Sequence, residues 1–379
     1  MRLAYRLGFI GMVSVLAVAA GCSGSSSRDS LGTTKDAGSD ALEFATGEAG
    51  PKCAPSPGNF DVPDNNCDDD GDGEVDNPPA CDDSLPVDGN AQDFAHAIGL
   101  CQKSTGDRWG LVSATFTGSY NTASPANDSQ HGILRKFGSV IKPQEGKMLG
   151  VLSSGWAREF NGTAGNGSFQ QGETMAGEGT VPPGFPKPAK GCEIDNSTND
   201  VITLKLKIKV PNNAKGLAFD FNFYSGEWPQ WVCSKFNDGF AAMLTSEAFN
   251  GGDTDNISFD SQKNPVSVNN GFFDRCTPGT TTGCAGIPPV TKTSACPGGE
   301  SELGGTGFFK QGTYCGNKQS TGGGATGWLT STAPVQAGET VTLEFVIWDT
   351  GDARYDSSVL LDNLRWEVGE VQTKTERPK

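Results

Sequence analysis

The sequence predicts an all-β protein: an antiparallel β-sandwich of jelly-roll-like type, with one short helix, disulfide-stapled loops and a disordered N-terminal tether. Three observations carry that prediction. Large apolar side chains recur at every second position in several segments, which a pleated strand turns into one apolar face. The 379 residues include 52 Gly and 22 Pro, with only 20% charged residues, so turns should be frequent and strands short. Eleven cysteines accompany an N-terminal export signal, and setting Cys22 aside leaves an even ten for disulfides in an oxidising compartment.

Residues 1–21 read as a signal peptide. Arg2 and Arg6 precede an apolar run from Leu7 to Ala20 that is short for a membrane span, and small residues lead into Cys22. The Ala-Ala-Gly-Cys junction resembles a bacterial lipobox, which implies acylation of Cys22 and an anchor in the membrane through lipid; the other reading is an ordinary signal peptide with an incidental cysteine. The expected location is the bacterial cell envelope, lipid-anchored, at the outer membrane or cell surface. Residues 22–50 are Ser, Gly, Thr, Asp and Ala with few large apolar groups, so burial cannot offset the entropy of ordering them and they should form a flexible linker.

Residues 51–83 form a cysteine-bounded acidic segment, with Cys53, Cys67 and Cys81 around DNNCDDDGDGEVDNPPAC. Calcium takes six to eight oxygens, and alternating carboxylates with a glycine at the bend can wrap inward around it. The expected ligands are Asp68, Asp70, Asp72 and Asp76 by side chain and Glu74 by its carbonyl, with Gly73 at the turn and Val75 tucked into a core. Pro79 stands where an EF-hand has its bidentate Glu, and the loop more closely resembles those of thrombospondin type 3 repeats, where a Cys sits beside the acidic run as Cys67 does here. The other reading is a solvated acidic linker. Ca2+ is thus the expected structural cofactor. Zinc is disfavoured, because no close Cys/His cluster occurs and only His96 and His131 are present.

From residue 84 to 368 the sandwich itself is expected. Asn90 to Leu100 places Phe94, Ala97 and Ile98 at helical spacing. Trp109–Phe116, part of His131–Ile141, and Met148–Leu152 are short apolar runs between turn formers. Asn161 to Gly179 is glycine-rich and should be a mobile loop. In Val201–Val210, Ile202, Leu204, Leu206, Ile208 and Val210 face one way and Lys205, Lys207 and Lys209 the other, giving one buried and one wet face and lysines that guard against edge pairing. Leu217, Phe219, Phe221 and Phe223 likewise line one face of the next strand. Its following loop supplies Glu227, Trp228, Trp231, Asn237 and Asp238, the candidate ligand-binding residues, since loops on a rigid sheet are where binding tends to reside. Between Cys276 and Cys315, a Gly, Thr and Pro-rich region containing Cys284 and Cys296 reads as an insertion pinned by disulfides; with Cys101, Cys192 and Cys233 these complete the set of ten, pairing open. Glu339–Trp366 reads as two strands joined by a hairpin turn carrying Asp349, Asp352 and Asp356, which are either a second cation site or turn-capping residues. Residues 369–379 should be a disordered tail.

The middle of the chain also resembles the choice-of-anchor L family of bacterial surface proteins. The elements that carry the resemblance are Ser225-Gly226-Glu227-Trp228, Ser234-Lys235-Phe236-Asn237-Asp238-Gly239-Phe240, Asn256-Ile257 and Pro265-Val266-Ser267-Val268-Asn269-Asn270, in that order, and then Asp356-Ser357-Ser358-Val359-Leu360-Leu361-Asp362-Asn363. Gly226 and Trp228 depart from the family's usual Glu and Tyr. The resemblance implies a domain joined, from member to member, to differing surface-attachment signals, and no defined ligand or catalytic residue.

A formal net charge of -16 argues against nucleic acid and anionic headgroups as partners and suits divalent cations, cationic partners or solubility. The expected function is a calcium-stabilised, non-catalytic binding or adhesion module for a glycan, a matrix polymer or a surface protein. Two alternatives stand beside it: a glycoside hydrolase using a carboxylate pair such as Glu227 and Asp238, and a structural envelope component. No G-x-S-x-G elbow and no phosphate loop is present.

Overall fold

The computed structural model describes residues 53–160 and 175–378. The expected signal peptide, the lipidated Cys22, the linker and most of the glycine-rich stretch from Asn161 lie outside the described residues.

In chain order the elements are α1 (Ala91–Ala97), β1 (Gly110–Thr117), β2 (His131–Leu134), β3 (Leu149–Ser153), β4 (Thr198–Lys209), β5 (Gly216–Ser225), β6 (Gly239–Thr245) and β7 (Asp255–Asn256). Two small hairpins follow, β8 (Thr281–Thr282) with β9 (Lys292–Thr293) and β10 (Lys310–Tyr314) with β11 (Asn317–Gly322). Then come β12 (Gly324–Ala325), β13 (Leu329–Pro334), β14 (Thr340–Thr350), β15 (Ser357–Glu367) and β16 (Lys374–Glu376). One sheet runs β1-β4-β14-β6-β7 and the other β16-β13-β5-β15-β3-β2, with β12 beside the end of β5. Neighbouring strands within both sheets are antiparallel, so the fold is the expected sandwich.

Alternation builds the core. Leu217, Phe219, Phe221 and Phe223 of β5 meet Leu204, Leu206, Phe240 and Phe345 from the opposed sheet. Phe219 packs edge-on against Phe345 at 4.9 Å and Phe221 against Phe240 at 5.2 Å, the offset geometry aromatic rings prefer. The helix begins on an Asn90–Asp93 capping box, which satisfies amides that the first turn leaves open, and buries Phe94.

Three features differ from the sequence expectation. The β14–β15 connection is not a hairpin, because β14 pairs with β4 and β6 while β15 pairs with β5 and β3 in the other sheet. The strand β4 is interior, flanked by β1 and β14, so its lysines guard no edge; Lys205 instead pairs across the strands with Glu344 at 3.1 Å. The C-terminal residues are not a free tail. Lys374–Glu376 pair with β13, Thr375 bonds Ser331 at 2.8 Å, and Arg377 reaches Asp274 at 2.7 Å. An open sheet edge accepts any extended segment, polar or not, since the ladder bonds come from backbone.

All ten expected cysteines are paired: Cys53–Cys67, Cys81–Cys101, Cys192–Cys233, Cys276–Cys296 and Cys284–Cys315. The region from Cys276 onward does more than decorate. Leu303 and Phe308 fold over the outer face of β5 and β15 and bury Tyr224 and Leu360, so β5 is covered on both sides.

Candidate functional site

Two of the connections that cross from one sheet to the other, β5–β6 and β14–β15, meet at one end of the sandwich. Glu227 lies just past β5 and Asp238 just before β6; Asp349 lies near the end of β14 and Asp356 just before β15. The Asp238 carboxylate accepts the Thr350 amide at 3.1 Å and the Ser357 hydroxyl at 2.8 Å, and the Gly226 amide bonds the Asp356 carbonyl at 3.1 Å, which ties the two crossings together. These four acids are 2%, 1%, 0% and 0% exposed respectively.

Burial dominates their electrostatics. It pushes the Glu227 carboxyl well above the ordinary carboxylate range, and the neighbouring Asp238 and Asp352 charges push the same way. Burial also raises Asp238 and Asp349, which lie close enough to titrate together. Neither oxygen of Asp349, nor Oε2 of Glu227, meets a hydrogen-bond donor of good geometry, though the Ser154 hydroxyl is near enough to Asp349 to favour its charge slightly.

Above Glu227 opens a recess of about 270 Å³ lined by Trp231, Phe236, Asp352, Arg354 and Tyr355. Trp231 stands 5.1 Å from Phe236 and 5.8 Å from Tyr355, ring centre to ring centre, so three non-parallel rings wall it. Asp352 is thus a rim residue and not one of the buried group. Of the expected ligand-binding residues, Glu227 and Trp231 reach this recess. Trp228 does not: it is 5% exposed and packs on Phe273, Val268 and the Cys276–Cys296 bridge. Asn237 is also buried, accepting from the Asn269 side chain at 2.8 Å. The apolar indole goes inside because the disulfide-pinned insertion offers it a wall.

In the acidic segment the carboxylates expected around calcium divide among several partners. Asp61, Asp68 and Asp70 each bring a carboxylate oxygen within 4.8 Å of the others. Asp72 turns instead to the Glu74 amide at 2.9 Å and Asn77, Asp76 to the amides of Asn65 and Asn66, and the Glu74 carboxylate to Asn77. Val75 is 54% exposed, so it fills no core. Burial, and behind it the Asp72 and Asp61 charges, raise the Asp70 carboxyl. Asp61 stands outside the alternating acidic run and so is not legible as part of it; only the turn at Pro63 and Asp64 folds it back, where it accepts the Asp69 amide at 2.7 Å. The segment docks on the sandwich through Asn213, which bonds both backbone groups of Phe60 at 3.0 and 2.8 Å. Beside it lies a second aromatic recess, about 290 Å³, where Trp109 and Trp366 meet edge to face at 6.0 Å.

Among known proteins, the family model described as Choice-of-anchor L domain matches residues 112–364. No curated protein and no solved structure matches the chain.

Proposed function

The chain belongs to the choice-of-anchor L domain family and is a surface-associated module; from that premise we propose that it is a lipid-anchored, calcium-stabilised binding or adhesion module of the bacterial envelope without chemistry of its own. Cys22 carries the lipid, residues 22–50 act as the spacer, and the sandwich presents its loop end outward. The observation that carries the binding reading is the aromatic recess over Glu227: three rings and two carboxylates on rigid strand ends suit a polyhydroxylated or cationic group, as stacking and hydrogen bonding need no reaction. Calcium acts structurally, held by Asp61, Asp68 and Asp70, where the loop's oxygens already converge.

Against hydrolysis stands the placement of the carboxylate pair once nominated for it. Asp238 is 1% exposed and already accepts an amide and a hydroxyl, so it offers no face to an attacking water. The test is a glycan and matrix-polymer screen on the intact protein, comparing wild type with Trp231→Ala. Retention of a ligand by wild type and at least tenfold weaker binding by the variant is expected. Equal binding by both would move the ligand site elsewhere, and turnover of a polysaccharide would replace the whole reading with a hydrolase. Metabolic labelling with a fatty acid should mark Cys22 and fail on Cys22→Ser.

A further inference from the structure

We propose that Glu227, Asp238, Asp349 and Asp356 hold one buried divalent cation of the calcium class, a second site distinct from the acidic loop, which clamps the β5–β6 and β14–β15 connections to each other. The inference stands apart from the adhesion reading and from the Asp61, Asp68 and Asp70 cluster.

Four carboxyls, two from the β5–β6 connection and two from the ends of the β14–β15 connection, lie at 2% exposure or less. Burying a carboxylate without a partner is costly, and proteins avoid it by pairing, protonation or metal coordination. Glu227, Asp238 and Asp349 join none of the ion pairs among the described residues. The buried Asp349 carries the strongest sign, since neither of its oxygens meets a donor of good geometry at 0% exposure, and Oε2 of Glu227 on the recess wall meets none either. A hydrogen-bonded acid cluster of purely structural purpose would be expected to satisfy such atoms.

The kind of occupant follows from depth and donors. An organic ammonium entering the recess would meet Glu227 and Asp352 at its wall, but Asp349 and Asp356 are 0% exposed and do not line it, so it could not reach them. The groups around the cluster are carboxylates and the hydroxyls of Ser154 and Ser357, and every described cysteine is in a disulfide. An oxygen-only set selects a hard cation, and carboxyls this deeply buried favour calcium over magnesium, which keeps waters and demands an octahedron. The main chain approaches closely here: a Cβ on Gly155 would sit 2.2 Å from Oδ2 of Asp356. Among the described residues, only the Asp61 trio brings three carboxylate oxygens within 4.8 Å of one another. The buried four are set wider than that, and an ion coordinating at about 2.3–2.6 Å would have to draw them in.

The experiment uses full-length protein in detergent, stripped with EGTA and titrated with CaCl2 by calorimetry and with Tb3+ by tryptophan-sensitised luminescence. Asp68→Asn with Asp70→Asn removes the loop site and should leave one equivalent of bound calcium. In that background Trp231→Phe should lower the terbium signal several-fold at unchanged stoichiometry, while Glu227→Gln with Asp349→Asn should abolish binding. Should the latter pair fail to fold, Glu227→Gln alone, on the recess wall, should weaken calcium at least tenfold. A loop variant that binds no calcium, or unchanged affinity in the Glu227 variants, overturns the proposal; a loop variant indistinguishable from wild type would instead sink only the loop reading.

Discussion

Asp362 and His131 are the residues on which pH should act most legibly outside the acid cluster. The Asp362 carboxylate is 1% exposed and accepts the amides of Gln144 and Glu145, yet burial outweighs those bonds and pushes it up to about 7. Its folded value exceeds its unfolded one, so its contribution is fully present below about 4 and is lost as pH rises through about 7. Stability should therefore fall between about pH 4 and 7 by on the order of a few kcal/mol, with buried Asp200 shifted the same way. His131 works from the other side: burial lowers it, and it stacks on Phe116 at 4.0 Å. Its depressed value costs stability as pH drops below about 6.5. Thermal melts across about pH 4–7 should show Asp362→Asn flattening the fall toward pH 7, at a cost of about 1–3 kcal/mol near pH 5 from poorer amide capping. A slope identical to wild type would refute the assignment. His131→Phe should in turn remove the loss below pH 6.5. None of this was readable from residue type: sequence names an Asp or a His, and only burial decides what its proton is worth. The same holds for the neighbours Trp228 and Trp231, of which the first is wall-packed and the second lines a recess.

At the level of elements, period-two alternation found β4, β5, β14 and β15, and helical spacing found α1. What alternation does not carry is the identity of the partner sheet. A strand with Val341, Leu343, Phe345 and Ile347 inward looks the same whether the next strand returns beside it or across from it. The choice was made by β4, β6, β5 and β3, which occupy the flanks of β14 and β15 and leave no place for a hairpin between them. The terminal segment departs from the sequence expectation for a related reason: β16 has almost no apolar signal, and its order comes from the open edge of β13 and the Arg377–Asp274 pair. Deleting residues 372–379 should lower the melting midpoint by roughly 2–6 °C in calorimetry, because a few kcal/mol of edge ladder and ion pairing is spread over a large unfolding entropy. It should also raise aggregation, since β13 would then present bare backbone. A midpoint and solubility unchanged from the full chain would mean that β16 stabilises nothing.

Taken whole, the molecule concentrates acid in two places, an exposed-to-intermediate loop at Asp61, Asp68 and Asp70 and the closed end at Glu227, Asp238, Asp349 and Asp356. With a formal charge of -16, bringing these groups together is work that a bound cation would offset by mass action on the folded state. Excess EGTA should therefore lower the melting temperature and added CaCl2 restore it; indifference of the melt to both would remove calcium from the account. By itself, the sequence determined that this chain makes a disulfide-bonded, antiparallel two-layer protein of the choice-of-anchor L family, because cysteine number, alternation and ordered motifs are local properties of the string. Only the tertiary structure decided which acids share a site, which tryptophan is accessible and which strands face each other. Those are matters of distance and burial between residues far apart in the chain, fixed where the β5–β6 and β14–β15 connections meet at the strand ends and where the insertion covers the outer face of β5 and β15.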